Sequence, residues 1–169
     1  MKRMVLWAAV MLAQTTAYAA DDETLLGEWR DWSAMRYVEA EKPVCVMWTS
    51  PSKASDVARD ADPHAFVSHR SKAQIFHEVS IKVGVPLKVG SVLTARVGDQ
   101  RFTLYSDGAS AWNNALKEDL RMIRAMRAGR DLKVSATTAE GQKIKDTYSL
   151  FGFTDAHKRI NKECGAKYR

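Results

Sequence analysis

The side chains of this sequence that could carry chemistry are few. They are four histidines (His64, His69, His77 and His157), two cysteines, scattered serines and two close carboxylate pairs. A zinc site read from sequence needs imidazole, thiolate or carboxylate ligands, usually with two of them at short spacing. His69 and His77 fit one sheet face but lack that spacing, and His77 falls on the apolar side of its strand. A hydrogen-bonded core histidine is the expectation there, and no metal site is expected. No G-x-S-x-G elbow marks a serine as a nucleophile. Asp60 and Asp62 form a D-x-D without the remaining oxygen ligands and glycine of a calcium loop. Glu28 and Asp31 read as surface charges, and no glycine loop of the phosphate-cradling kind is present. The sequence therefore reads as a non-enzyme that takes no cofactor, with an uncharacterised cell-wall enzyme as the alternative reading.

Cys45 and Cys164 are best understood through the compartment. Lys2 and Arg3 precede an apolar run from Met4 to Ala13, and Ala17-Tyr18-Ala19 places small residues where a signal peptidase cuts. That layout predicts a secretory signal peptide over residues 1–19 and a mature domain over residues 20–169. The apolar run is shorter than the roughly 20 residues that span a bilayer, and no later run approaches that length. A periplasmic protein is expected, either retained there, associated with the outer membrane or released. In such an oxidising compartment an even cysteine count reads first as a disulfide. Two free thiols or a thiolate nucleophile is the competing reading, but no CxxC is present and no histidine lies close to either cysteine in sequence. The bond would close a loop of over a hundred residues, contributing about 4–5 kcal/mol in the chain-entropy picture.

Loss of Lys2 and Arg3 lowers the formal charge of +6 by two. The surplus favours solubility and attraction to anionic partners, while export argues against nucleic acid. Lys117, Arg121 and Arg124 stand at helical spacing as a charged ridge, continued by Arg127, Arg130 and Lys133. Anionic lipid, lipopolysaccharide or an acidic protein face is the partner such a ridge would meet. A solvated helix face balanced by Glu118 and Asp119 is the plainer reading. Trp112, between Ser110 and Asn113-Asn114 in a segment read as a loop, is the aromatic expected to be exposed and a candidate contact.

The elements that must position these residues are mostly strands. Val44, Val46 and Trp48 alternate with Cys45, Met47 and Thr49. Ile75, His77, Val79, Ile81 and Val83 alternate with Phe76, Glu78, Ser80 and Lys82, which is a strand with one buried face. Leu93, Ala95 and Val97 continue the pattern, as do Phe102 and Leu104, and Gly98-Asp99 between these two runs predicts a two-residue hairpin turn. Residues 50–63 are polar and read as a long loop. Leu116, Leu120, Ile123 and Met126 or Arg127 follow helical spacing, with Gly129 placed to end that helix in the left-handed conformation. A second helix is expected from Thr154, as N-cap, to about Glu163, with Ala156, Ile160 and Cys164 inward. These elements predict a mainly β (β-rich α+β) fold. It is an antiparallel sandwich or flattened barrel of about seven to nine strands with two short helices.

Several stretches resemble the invasion-associated locus B family of alphaproteobacterial exported proteins. They are Trp32, Cys45-Val46-Met47-Trp48, Glu78-Val79-Ser80-Ile81, Phe102-Thr103-Leu104-Tyr105, Ala111-Trp112 and Ala125-Met126-Arg127-Ala128-Gly129. The closing run from Asp146 to Ala156, containing Leu150-Phe151-Gly152-Phe153-Thr154, is the most specific of them. The run reads as a structural corner, in which Gly152 permits a tight bend and Phe153 packs beneath it. The resemblance implies an exported, β-rich protein without established catalytic activity, binding or stabilising another envelope component and open to a host-cell role. It assigns no functional residue. Many members look to carry additional cysteines where this chain has Tyr105 to Trp112, so the sequence departs from the family there.

Overall fold

The computed structural model describes residues 23–167. The signal peptide expected over residues 1–19 lies outside the described residues. Ten strands and two helices follow one another: β1 (Thr24–Trp29), β2 (Trp32–Glu39), β3 (Lys42–Thr49), β4 (His64–Arg70), β5 (Ile75–Lys82), β6 (Val92–Val97), β7 (Gln100–Asp107), β8 (Ser110–Trp112), α1 (Leu116–Ala128), β9 (Asp131–Thr137), β10 (Lys143–Ser149) and α2 (Phe153–Cys164). The strands make one open antiparallel sheet in the order β1-β2-β3-β4-β5-β8-β7-β6-β9-β10. The mainly β class is therefore as the sequence predicts, with ten strands in place of seven to nine. One of the extra strands is β8, in the segment read as a loop. It pairs with both β5 and β7, so Trp112 is a half-buried strand residue rather than a loop-tip aromatic.

Alternation decides which side of each strand is buried. On β5, His77, Val79 and Ile81 point inward, and on β7 Phe102 and Leu104 do so. Val97 and Gln100 pair across Gly98-Asp99, where Gly98 takes φ 55° as a two-residue turn requires. The sheet curls so that its last strand is not left bare. Lys53, in the loop of residues 50–63, exchanges two backbone hydrogen bonds with Thr147 of β10. The indole Nε1 of Trp32 donates to the Ser149 carbonyl at 3.0 Å. Covering an edge in this way removes a template for aggregation.

Both helices pack into the same core. The buried stripe of α1 is Asp119, Met122, Ile123 and Met126, while Leu116 is exposed and Leu120 only half-buried. The stripe is thus rotated from the Leu116–Leu120–Ile123 line that periodicity suggests. The cause is polar: the Asp119 carboxylate reaches inward and accepts the Val79 backbone N–H at 3.0 Å and the Asn113 amide at 2.8 Å. Gly129 ends α1 with an extended backbone, not a left-handed one. A glycine is needed there for space, since a Cβ would lie 2.3 Å from Val97. Gly152, not Thr154, is the N-cap of α2, and it is left-handed with φ 90°. Phe153 then inserts beneath the corner and meets Trp32 edge-on, ring centroids 5.0 Å apart. Such a pair contributes about 0.5–1.5 kcal/mol beyond its buried area.

Candidate functional site

Cys45 of β3 and Cys164 at the end of α2 are joined by a disulfide spanning 119 residues of sequence. The bond ties α2 across the sheet. Beside it the structure gathers three histidines that the sequence reading left separate. His69 stands directly opposite Cys45 in the β3–β4 ladder. His77 comes from β5, and His157 from the inner face of α2 between Phe153 and Ile160. All three are at most 2% exposed, and one ring nitrogen from each lies within 4.8 Å of the others.

A β-bulge makes this meeting possible. Ser68 pairs with Glu78 and Arg70 with Ile75, so two residues of β5, Phe76 and His77, face the single His69 of β4. His77 takes φ 64°, a left-handed backbone uncommon for a non-glycine residue in a strand. Its N–H leaves the ladder and donates to His69 Nδ1 at 2.9 Å. Nδ1 of His69 is therefore an acceptor, and its Nε2–H donates to Asn161 Oδ1 at 2.7 Å. His77 Nε2 lies 3.5 Å from the Lys167 carbonyl, which can only accept, and His77 Nδ1 lies 3.4 Å from His157 Nε2. Proton bookkeeping along this chain is satisfied by three neutral rings.

Electrostatics agree with neutrality. Burial pulls His69 down to about 4, helped by the proximity of His77, against hydrogen bonds that favour the charged form. Burial likewise takes His157 to about 3, with His69, His77 and Arg127 adding repulsion. His77 is also lowered by burial. Neutral imidazoles can accept a hydrogen bond or ligate a metal, which protonated ones cannot.

The residues singled out from sequence are distributed elsewhere. On α1, Lys117 and Arg124 are exposed. Arg121 is engaged: its guanidinium lies 4.0 Å above the Phe102 ring, pairs with Glu118 at 2.9 Å and donates to the Arg101 carbonyl. Asp119, expected to balance the ridge, is inside the protein instead. Basic charge continues on the outer face of β6 and β9, where Arg96 stands directly opposite Lys133. With Arg130 they line an open groove of about 630 Å³ that also holds Asp131. Trp112 faces Tyr105, which in turn faces Val92, making an apolar row across β8, β7 and β6. Tyr105 is 53% exposed and Val92 44%.

Sequence spacing does not reveal the histidine cluster, because its members come from three elements and no pair shows ligand spacing along the chain. One signal was available: His157 shares the helical face of Ala156, Ile160 and Cys164 and had to be buried with them.

Comparison with known proteins places this architecture. No curated protein matches the chain. The crystal structure of invasion associated protein b from Bartonella henselae is similar, with a TM-score of 0.54 at 15% sequence identity. The likeness covers 84% of this chain and 98% of that one, and at such identity it speaks for the fold alone. The family model described as Invasion associated locus B (IalB) protein matches residues 32–161, a span that runs from Trp32 through His69, His77 and His157 to Asn161. This chain belongs to the invasion-associated locus B family.

Proposed function

We propose that this chain is a non-catalytic periplasmic protein that binds or stabilises another protein of the cell envelope. In this reading residues 1–19 are removed on export and residues 20–169 act as one domain. Family membership and a disulfide suited to an extracytoplasmic compartment support it. The observation that carries the binding role is the row Val92–Tyr105–Trp112. Three apolar side chains standing opposite one another on the solvent side of a sheet leave an aromatic contact surface of the kind enriched at interface centres. For a family named for invasion, an envelope partner at the host-facing surface fits the same reading.

The test is capture of partners by tagged mature protein from crosslinked envelopes, washed at low and at high salt. A protein retained at high salt by the wild type and lost with Val92→Lys/Tyr105→Lys supports the proposal. Equal retention by the variant overturns it. Val92 and Tyr105 are exposed enough for the double variant to fold.

A second reading has its own observation. Like charges directly opposite in a sheet are destabilising, and Arg96 faces Lys133. Together with Arg130, Lys117 and Arg124 they suit an anionic lipid or lipopolysaccharide surface. Binding to vesicles rich in phosphatidylglycerol should then weaken as the Debye length falls from about 10 to 3 Å. It should vanish with Arg96→Glu/Lys133→Glu; salt-insensitive binding excludes this mode.

A further inference from the structure

We propose that His69, His77 and His157 form a binding site for a late first-row transition-metal ion, with zinc the ion the geometry suits best. The donor set consists of three imidazoles and no carboxylate, the combination preferred by zinc, copper or nickel over magnesium or calcium. Two zinc-bound nitrogens at about 2.0–2.1 Å and tetrahedral angles stand roughly 3.4 Å apart. His77 Nδ1 and His157 Nε2 are 3.4 Å apart without any metal. The third ring, His69, has a nitrogen within 4.8 Å of the other two.

Three further features are those of a built site. The left-handed backbone of His77 and the bulge around it turn this side chain toward α2, and such strain persists only where the surroundings enforce it. The disulfide fixes α2 at Cys164, two turns beyond His157, so the helical ligand is held against the sheet ligands. Asn161, one turn beyond His157, already holds His69 by its Nε2 edge and is placed as the outer partner that orients a ligating ring. Burial keeps the rings neutral near pH 7, as ligation requires.

Binding exchanges interactions instead of filling an empty cavity. His157 moves its proton from Nε2 to Nδ1, a neutral tautomer change that releases no proton. His69 would ligate through Nδ1, giving up the hydrogen bond from the His77 N–H and keeping its Nε2–H on Asn161. The Lys167 carbonyl, 3.5 Å from His77 Nε2, can keep that N–H engaged while Nδ1 faces the ion. The ion would bridge β4, β5 and α2, giving the fold a second clasp beside the disulfide.

The test uses untagged mature protein with its disulfide intact, stripped with chelator and titrated with Zn²⁺ and Co²⁺. Saturation at one ion per chain, the intense visible bands of tetrahedral Co²⁺ and a raised Tm are expected. Side-chain nitrogen NMR of the wild type should show three imidazoles shifting together while His64, outside the cluster, stays in place. Loss of the Co²⁺ bands in His157→Gln, with His64→Gln unchanged, completes the assignment. No saturable binding overturns the proposal, as does binding that shifts only His64 or survives unaltered in His157→Gln. Should His157→Gln fail to fold, the NMR of the wild type decides.

Discussion

Arg59 and Asp146 meet inside the protein, with Arg59 Nη2 and Asp146 Oδ1 2.7 Å apart and the carboxylate side chain fully buried. Asp146 Oδ1 also accepts from the Ser55 backbone N–H and hydroxyl, and Arg59 donates to the Val83 carbonyl at 2.6 Å. The pair therefore fastens the loop of residues 50–63 to β10 on one side and to the end of β5 on the other. Removing one member of a buried pair leaves the other charge uncompensated, at about 3–5 kcal/mol. Arg59→Met is expected to lower stability by that amount in urea unfolding. It should also expose the Thr147 amide, which the Lys53 carbonyl now holds, to hydrogen exchange. A loss within measurement error would show that the loop is held by its backbone contacts alone.

Gly152 sits where the chain turns from β10 into α2, and a Cβ there would lie 1.7 Å from the Trp29 carbonyl oxygen. Its φ of 90° is also unfavourable for any residue with a side chain. Gly152→Ala should cost about 2–4 kcal/mol, since backbone strain and a backbone clash act together. Thermal unfolding with retained Phe153–Trp32 packing in the near-ultraviolet circular dichroism spectrum would check it. An unchanged Tm would mean that the corner relaxes freely.

Much of the fold is legible in the sequence for reasons these residues illustrate. Period-two alternation on β5 and β7 and the Gly98-Asp99 turn are local properties, so they predict their elements directly. The corner at Gly152 is readable as a bend, but its cap is not, because Trp29 makes the demand from the far end of the sheet. Apolar periodicity does not locate the stripe of α1, because a buried carboxylate, not an apolar side chain, decides its rotation. The histidine cluster was invisible for a related reason. It depends on a bulge and on helix docking, and neither leaves a spacing along the chain.

Asp119 supplies a pH signature. Burial raises its carboxyl to about 6, against hydrogen bonds from Asn113 and Val79 that pull the other way, with Glu78 and Glu118 adding repulsion. The folded value is above the unfolded one, so folding takes up a proton. This group's stabilising contribution is complete below the unfolded value of 3.8 and is lost as pH rises through about 6. Asp119→Asn keeps an acceptor for Val79 without the charge. It should be more stable than wild type above pH 6, by about 1–3 kcal/mol, and should converge with it near pH 4. Urea midpoints at the two pH values measure this; a difference independent of pH would rule out ionisation as its origin.

The histidine cluster has the opposite sign, and the two effects are separable. His69 and His157 are neutral when folded, at about 4 and about 3, against 6.5 when unfolded. Between those values the unfolded chain binds more protons, so the stability of the metal-free protein falls as pH drops below about 6.5. His77 is lowered too, and Arg127 faces His157 from α1, so every neighbouring charge named here resists protonation. The two resolved shifts together are on the order of several kcal/mol by pH 4. His157→Leu keeps the apolar contact with Phe153, whose ring stacks on His157 at 5.7 Å, and removes one titrating site. Its stability at pH 7 should drop, because His77 Nδ1 loses its partner. Its decline from pH 6.5 to 4 should nevertheless be shallower than that of the wild type. Parallel decline of the two proteins would place the acid sensitivity outside the histidine cluster.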